Sequence, residues 1–313
     1  MKTPSTVSHP APPFSASLLH PKHWLTWLMM APWYAVSQLP YTWQTRIGFS
    51  LGHLLQRVGG SRVKISTVNI SKCFPDYSEQ QRADLLRRSF ESVGMGFVEV
   101  GLGWWGRKAP FNKIQRISGL EHLSQAQSKG RGIMLITGHF TPMEVAARIV
   151  GEHTPVRLMY RKNDNAVFEW ISARRRAHYT EEMIPHKAVG HFLERLSAGD
   201  TCIYLVDQDY RMRHSVFAPF FGIETATIKK TAEYVKETNA VTIPIHYTRL
   251  PNCEGYQLRI DPPLENFPTD NAVADATTLN RIIENYTLEA PEQYLWQHRR
   301  FKNRPEGEPS FYK

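Results

Sequence analysis

The stretch IMLITGHFTPMEVA, residues 133–146, decides the fold class of this chain. It opens with an apolar run that has the length of a buried strand, and Gly138 then supplies a permissive turn. Thr141, Pro142 and Glu144 next occupy the N-cap, N1 and N3 positions of a helix start. The stretch therefore predicts a strand, a tight turn and a helix, which is the local unit of an α/β fold.

This arrangement places His139 in the loop between the strand and the helix. Ligands of open α/β sheets bind at the carboxyl ends of strands, where a histidine can act as a general base near neutral pH. Glu144 follows in an H-x4-E pattern. If its carboxylate turns back to the imidazole, it can hold one tautomer and stabilise the imidazolium. Alternatively, Glu144 completes a capping box and needs no catalytic role. The pattern leaves both interpretations open.

The whole chain is basic and has few cysteines. Its 313 residues can form one large α/β domain or two smaller ones. A formal net charge of +9 indicates an anionic partner, which can be a nucleic acid, a membrane surface or a phosphorylated substrate. Cys73, Cys202 and Cys253 form no C-x-x-C pair. The sequence therefore suggests neither a disulfide framework nor a cysteine zinc site, and it fits a reducing compartment.

The N-terminal region predicts an attachment to membranes. Residues 1–15 are expected to be a disordered leader, and residues 24–39, WLTWLMMAPWYAVSQL, are apolar and rich in tryptophan. This run is shorter than the roughly 20 apolar residues of a full span and contains Pro32. A membrane-surface anchor, a short span and a buried core helix all remain open. We assign residues 1–42 to a leader and membrane-anchor segment.

From residue 116 onward, short apolar runs alternate with helical stretches, as in an α/β layer fold. The runs are residues 133–136, 156–160, 202–206, 240–246 and 256–260. Three of them end in polar clusters, which are Gly138-His139, Arg161-Lys162-Asn163-Asp164-Asn165 and Asp207-Gln208-Asp209. Such strand ends converge on one crevice. The same residues can instead be turn formers or helix caps.

Two further stretches carry possible binding groups. FAPFFG, residues 217–222, predicts an apolar loop that lines a pocket for an alkyl chain or packs on the core. Residues 291–304, PEQYLWQHRRFKNR, place Arg299, Arg300, Lys302 and Arg304 beside aromatic residues. Arginine matches phosphate oxygens with two parallel hydrogen bonds, so this stretch predicts phosphate recognition. A solvated basic tail is the alternative.

Segments along nearly the whole chain resemble the late acyltransferases of lipid A biosynthesis, the lauroyl and myristoyl transferases of Gram-negative bacteria. These segments are HPKHWLTWL, NISKCFPDYSEQQR, FESVGMGFVEVGLGWW, GHFTPMEVAAR, YRKNDNAVFEW, VDQDYRMRHSVFAPFFG and APEQYLWQHRRFKNRPEGEPS. The resemblance is strongest to the lauroyl-type branch, which acts on Kdo(2)-lipid IV(A).

The resemblance implies a fold, a location and partners. The implied fold is α/β, with a mixed sheet flanked by helices, glycerolipid-acyltransferase-like, and with an N-terminal membrane-anchoring helix. Residues 43–313 would form the acyltransferase domain. The implied location is the bacterial inner membrane, with the active site on the cytoplasmic face. The implied partners are acyl carrier protein, Kdo(2)-lipid IV(A) and inner membrane lipids, with no nucleic acid, metal or cofactor.

The resemblance also assigns residues. The family's H-x4-D/E motif falls on His139 and Glu144 as catalytic residues. The implied substrate-binding residues are Arg161, Asn163, Asp164, Asp207, Asp209, Arg299 and Arg300. Gln208 departs from relatives that have a histidine within the D-x-D segment. His139 would deprotonate the hydroxyl of a 3-hydroxyacyl chain, and the alkoxide would attack the thioester of acyl-ACP. Arg161 and nearby backbone amides are candidate oxyanion donors.

Three other functions compete with this interpretation. A glycerol-phosphate acyltransferase would share the H-x4-D/E chemistry but use a different acceptor. A basic nucleic-acid-binding protein would exploit the positive charge, although the sequence contains no recognised binding motif. A zinc hydrolase is disfavoured, because H-x4-E is not the H-E-x-x-H spacing that binds zinc.

Overall fold

The computed structural model describes residues 12–312, which form helices around one large sheet. The helices are α1 Trp24–Ser37, α2 Tyr41–Val58, α3 Gly60–Cys73, α4 Glu79–Trp105, α5 Lys108–Asn112, α6 Leu120–Ser128, α7 Met143–His153, α8 Ala166–Arg176, α9 Val189–Ser197, α10 Lys230–Thr238 and α11 Ala272–Glu289. The strands are β1 Gln115–Ser118, β2 Ile133–Thr137, β3 Arg157–Tyr160, β4 Glu182–Pro185, β5 Thr201–Leu205, β6 Ser215–Phe220, β7 Ile223–Ile228, β8 Val241–Arg249 and β9 Tyr256–Ile260.

The main sheet has seven strands in the order β1-β9-β8-β2-β5-β3-β4. β2 lies at its centre and runs parallel to both β8 and β5. β3 and β4 continue the parallel part, whereas β9 is antiparallel to β8. The mixed α/β class is therefore confirmed. The carboxyl ends of β2, β5 and β3 lie at one edge, as the three polar clusters predicted.

The five apolar runs of the sequence all became strands of this sheet. β2 is buried at each of its five positions, because helices cover both faces of the sheet there. Its side chains pack in a core with residues of α4, α7, α9 and α11, such as Leu85, Val145, Phe192 and Ile283. Sequence reasoning missed β1 and β4, which are the two edge strands of this sheet. β1 alternates partly buried and exposed positions, and β4 contains Pro185.

The segment FAPFFG is not a loop, so that prediction is wrong. Most of it forms β6, which pairs with β7 in a separate antiparallel hairpin. Phe221 and Gly222 make the two-residue turn, and both have positive φ, at 49° and 73°. Such turns match the twist of the flanking strands, and a glycine at the second position is typical of them. In the sequence, Gly222 directly after an apolar run is the local feature that indicates a hairpin turn.

α1 packs along one side of the molecule and leaves its other side exposed. The Trp33 indole donates a hydrogen bond to the Phe97 carbonyl of α4 at 2.7 Å and stacks on Phe168 of α8. On the other side, Leu25 and Leu28 are 69% and 70% exposed. α1 is thus not a buried core helix. Within residues 12–312, no helix is long and apolar enough to cross a membrane. Most of the predicted leader, residues 1–15, lies outside the described residues.

The long helix α4 crosses α2 at a contact built from glycines. A Cβ atom added at Gly94 would collide with the backbone of Gly48 and Gly52, so only glycine lets the two helices approach this closely. α4 is fixed at its start by a capping box, in which Ser78 and Gln81 exchange hydrogen bonds. The crossing therefore sets the position of α4, which later supplies Trp104 to the candidate site.

We expect Gly94→Ala to lower the free energy of unfolding by about 1–3 kcal/mol or more, because overpacking forces the helices apart. Gly190→Ala on α9 is the matched control, since its added Cβ meets nothing within 4 Å. The control should raise stability by about 0.4–1 kcal/mol through the lower entropy of the unfolded chain. Urea unfolding of both variants measures the difference. Equal stability of the two variants would contradict the close crossing.

Candidate active site

The partner of His139 is Asp207. In the pairing of β2 with β5, Thr137 lies beside Leu205, so the residues two positions further along each chain leave the sheet together. The Nδ1 atom of His139 lies 2.6 Å from Oδ1 of Asp207. The backbone N–H of His139 donates to Oδ2 of the same carboxylate at 2.9 Å. Asp207 therefore fixes both the ring and the backbone of His139.

The electrostatics of this pair favour an ionised carboxylate. Asp207 is 1% exposed. Burial alone would raise its pKa, but the charge and hydrogen bonds of His139 outweigh burial and hold the pKa of Asp207 well below its usual range. An ionised carboxylate only accepts hydrogen bonds, so we assign the imidazole proton to Nδ1. The Nε2 atom then carries the basic lone pair, to which the Gln208 amide donates at 3.0 Å.

His298 is a second histidine at this site, and sequence reasoning missed it. Its ring centre lies 6.3 Å from that of His139. Its Nδ1 atom lies 2.7 Å from the Leu295 carbonyl, which makes Nδ1 the donor. Burial lowers the pKa of His298 to about 4 against the opposing charge of Asp207. A neutral His298 leaves the negative charge of Asp207 available to an imidazolium at His139. Its position in the basic C-terminal stretch gave no local signal of this contact.

The carboxylate of Glu144 does not turn to His139. Within the described residues it accepts hydrogen bonds from the Trp104 indole at 2.7 Å, from Nε and Nη2 of Arg176 at 2.8 and 2.6 Å, and from the Tyr179 hydroxyl at 2.5 Å. The predicted contact with the imidazole is therefore absent from this structure. The reason is competition, because Trp104, Tyr179 and Arg176 occupy both carboxylate oxygens.

The capping prediction for this stretch is also wrong. α7 begins at Met143, its N-cap is Pro142, and no side chain caps it. The Thr141 hydroxyl instead lies 2.6 Å from the Ser92 hydroxyl of α4. Glu144 stays ionised, because the charge and hydrogen bonds of Arg176 outweigh burial and lower its pKa. It therefore joins α7 to α8 through its ion pair with Arg176 and to α4 through its hydrogen bond from Trp104.

A cavity of about 290 Å³ lies beside His139. Glu144, Arg161 and Arg176 are its charged wall residues. The remaining wall is mostly aliphatic and includes Met143, Ala146, Ala147, Leu158, Met159, Met183, Ile203, Leu205 and Ile245. A largely apolar cavity with a few polar groups at one place is typical of a site that binds an apolar ligand next to reacting atoms.

The polar residues 161–165, which follow β3, have different surroundings. Arg161 lines the cavity. Asn163 accepts a hydrogen bond from the Asn165 backbone N–H at 2.9 Å, and Asn165 caps α8. Asp164 is exposed and forms no hydrogen bond or ion pair with another described residue. The structure thus brings Arg161 to the site and gives Asn163 a turn-forming contact.

The remaining predicted ligands belong to the C-terminal stretch and its contacts. Arg300 is 1% exposed and donates to the Ala226 carbonyl at 2.9 Å and to Oδ1 of Asn280 at 3.0 Å. Its predicted role in anion binding is therefore wrong, because its guanidinium is buried in the interior. Asp209 accepts hydrogen bonds from the backbone and side chain of Asn303. Arg299 stays at the surface.

The same C-terminal stretch supports the loop that carries His139. The Leu295 N–H donates to the His139 carbonyl at 2.9 Å, and the Thr141 N–H donates to the Gln293 carbonyl at 2.8 Å. Phe140 and Tyr294 form an isolated bridge between these hydrogen bonds. The stretch therefore holds the backbone of the loop that carries His139 in place.

Comparisons with known proteins match this chain over most of its length. A family model described as "Bacterial lipid A biosynthesis acyltransferase" matches residues 11–303. The "Lipid A biosynthesis lauroyltransferase" of Escherichia coli (strain K12) is 39% identical over 302 residues, 96% of this chain and 99% of that protein. The "Lipid A biosynthesis palmitoleoyltransferase" of the same organism is 35% identical over 96% of this chain and 98% of its own length. The "Lipid A biosynthesis myristoyltransferase" of Escherichia coli (strain K12) is 25% identical over 100% of this chain and 98% of its own length.

We expect Glu144→Gln to lower the free energy of unfolding by about 3 kcal/mol, because it leaves the largely buried Arg176, whose side chain is 23% exposed, without its charged partner. A capping role would predict almost no change. Since the folded pKa of Glu144 is lowered, its contribution is fully present above the ordinary value of 4.5 and is lost as the pH falls below it. Chemical denaturation across this pH range measures both effects.

Asp84→Asn is the control for this measurement. Asp84 pairs with Arg87 and Arg88 at the exposed surface of α4, so its loss should cost less than about 1 kcal/mol. If Glu144→Gln were no more destabilising than this control, the contacts of Glu144 would not hold the three helices together.

Proposed function

The chain belongs to the bacterial lipid A biosynthesis acyltransferases, and on that premise we propose that it transfers a lauroyl chain from acyl carrier protein to a 3-hydroxyacyl hydroxyl of Kdo(2)-lipid IV(A). The chain is an acyltransferase of lipid A biosynthesis. The relative named as a lauroyltransferase supports the choice of laurate. The observation that carries the reaction is the His139–Asp207 pair, with its basic Nε2 atom beside an apolar cavity.

In the proposed step, His139 is the general base and Asp207 is its partner. The acceptor hydroxyl gives its proton to Nε2 of His139, and Asp207 stabilises the imidazolium that forms. The oxygen forms a bond to the thioester carbonyl, and the carbon–sulfur bond then breaks. The leaving thiolate takes the proton from the imidazolium. The Gln208 amide, which now donates to Nε2, gives way to the acceptor hydroxyl. No cofactor enters this scheme.

Arg161 is the proposed donor to the oxyanion of the tetrahedral intermediate. The neighbouring backbone amides are less suitable than the sequence suggested, because they already have acceptors. The N–H groups of His139, Phe140 and Thr141 donate to Asp207, Gly138 and Gln293, respectively. Arg161 lines the cavity that contains His139 and is exposed, so its guanidinium is free to approach a bound thioester.

We propose that the enzyme works at the surface of the inner membrane, on its cytoplasmic side. α1 exposes Trp24, Leu25 and Leu28, and the neighbouring helix α2 exposes Trp43 and Leu54. Exposed apolar groups of this size, together with tryptophan, are typical of helices that lie in the headgroup region of a bilayer. The proposed acceptor is itself a membrane lipid. An enzyme that lies at the membrane surface would therefore meet its acceptor there.

The aliphatic cavity is the proposed site of the donor chain. We expect mass spectrometry of products formed from Kdo(2)-lipid IV(A) and a mixture of acyl carrier proteins loaded with chains of different lengths to show preferential transfer of laurate.

Ala146→Leu fills part of the cavity and should shift the product toward shorter chains, since each methylene in such a pocket changes discrimination between chain lengths by about 10-fold or more. Ala83→Leu, at an exposed position on α4, is the control. An unchanged product distribution in Ala146→Leu would place the donor chain elsewhere.

The two aspartates of the Asp207-Gln208-Asp209 cluster offer a matched test of the mechanism. Asp207→Asn removes the charge that supports the imidazolium, so turnover should fall by about 10²- to 10⁴-fold. Asp209, two residues further on, accepts its hydrogen bonds from Asn303, so the effect of Asp209→Asn on turnover should be far smaller. Transfer from lauroyl-ACP is measured for both variants together with thermal melting. Equal turnover in folded forms of the two variants would remove Asp207 from the mechanism.

A further inference from the structure

A second cavity, of about 350 Å³, opens on the flank of α1 between that helix, the end of α4 and α8. Four aromatic side chains, two arginines and three small or aliphatic residues line it. They are Trp27, Tyr34, Trp105 and Trp170, then Arg174 and Arg175, and finally Met30, Ala31 and Ile171. None of these residues lines the cavity beside His139.

Aromatic rings hold the two arginines at this cavity. The guanidinium carbon of Arg174 lies 5.6 Å from the Trp170 ring centre, and that of Arg175 lies 5.9 Å from the Trp105 ring centre. These are cation–π distances, which restrict the arginine side chains before any ligand binds. In the described part of the chain, neither arginine forms an ion pair with an acidic residue. The adjacent Arg176 differs, because it takes the carboxylate of Glu144.

The surroundings of these arginines are positively charged. Burial lowers the pKa of His178, and the charges of Arg175, Arg174 and Arg148 lower it further. The pKa of Arg175 is lowered by burial and then by the charge of Arg174. Basic residues at the C-terminal end of α8 interact favourably with the helix dipole, which stabilises the helix by about 0.3–1 kcal/mol for each residue. That preference does not account for a cavity with four aromatic walls. The unpaired charge points to an anionic ligand.

The neighbouring surface indicates what kind of anion this is. α1 contributes Trp27 and Tyr34 to the cavity and exposes Leu25, Leu28 and Met29 beside it. Tryptophan and tyrosine next to such apolar groups prefer the headgroup level of a bilayer, where lipid phosphates lie. Arginine guanidinium groups match phosphate oxygens with paired hydrogen bonds.

We propose that Arg174 and Arg175 bind the phosphate of a membrane lipid, whose adjoining apolar part rests on Trp27, Trp105 and Trp170. The lipid is either an anionic phospholipid or the acceptor itself, since both present a phosphate at the same depth. The second choice rests on the proposed function. α8 reaches both cavities, because Arg176 lines the one beside His139. A phosphate held by Arg174 and Arg175 would therefore orient a lipid relative to the proposed active site.

The test uses the full-length protein with Arg174→Gln and Arg175→Gln combined. The control is Arg87→Gln with Arg88→Gln, which removes two consecutive surface arginines of α4 that pair with Asp84. A third variant, Arg174→Lys with Arg175→Lys, keeps the charge but loses the planar double hydrogen bond. Thermal melting confirms that each variant is folded, as all four arginine positions are at least partly exposed.

The first measurement is flotation with phosphatidylcholine vesicles, with and without phosphatidylglycerol, in the absence of acceptor. The second is the KM for Kdo(2)-lipid IV(A) in detergent without phospholipid, before and after phosphatase treatment of the acceptor. We expect the glutamine variant to lose affinity by about tenfold in one of the two assays, the lysine variant to lose less, and the control to match the wild type.

The two assays separate the sources of the phosphate. Weaker flotation on phosphatidylglycerol vesicles alone identifies an anionic phospholipid. If the KM of the glutamine variant exceeds the wild-type KM for the intact acceptor but equals it for the phosphatase-treated acceptor, the acceptor supplies the phosphate. The proposal is overturned if the folded glutamine variant matches the control in both assays. If the wild type transfers acyl groups to no lipid A intermediate, the proposed function fails, whereas the flotation assay still tests this site.

Discussion

The register between β2 and β5 is the constraint on which the candidate active site depends. Because Thr137 lies directly beside Leu205, the two strands end together, and His139 meets Asp207 across 68 residues of sequence. A slip of one residue would turn the aspartate to the opposite face of the sheet. The approach is close, since a Cβ at Gly138 would lie 3.2 Å from Oδ2 of Asp207. A side chain at this position would be tight, whereas the φ of Gly138 is not positive.

Glu144 shows how a motif residue can serve a chemical site without touching it. Its carboxylate joins Trp104 of α4 to Arg176 of α8, and the backbone of α7 that carries it packs against Gly103 of α4. A Cβ at Gly103 would lie 2.9 Å from Cγ of Glu144. A buried ion pair of this kind is costly to break, because the surviving charge stays desolvated. The pair therefore fixes the wall of the cavity beside His139, while Asp207 orients the imidazole.

The three consecutive arginines at the end of α8 illustrate how one short helix relates two regions. Arg176 turns inward to a carboxylate, whereas Arg174 and Arg175 turn to aromatic rings beside α1. α1 exposes large apolar residues such as Leu25 and Leu28, a pattern typical of helices that lie at a membrane surface. A lipid acceptor that lies in the bilayer surface would meet this side of the enzyme. Residues of α8 line both cavities, so under the two proposals this helix would connect lipid binding with acyl transfer.

The sequence by itself determined the α/β class, the five apolar strands and the edge of the sheet at which His139, Arg161 and Asp207 lie. These features are local, because an apolar run or a helical period reports how one element is buried. The partner of His139 and the enclosure of Arg300 were decided only by the tertiary structure. H-x4-E spacing suggested Glu144 as the partner, yet Trp104, Arg176 and Tyr179 converge on that carboxylate from distant parts of the chain. Which donor a buried carboxylate receives depends on strand register and helix crossings, and these are set by contacts that sequence spacing does not encode.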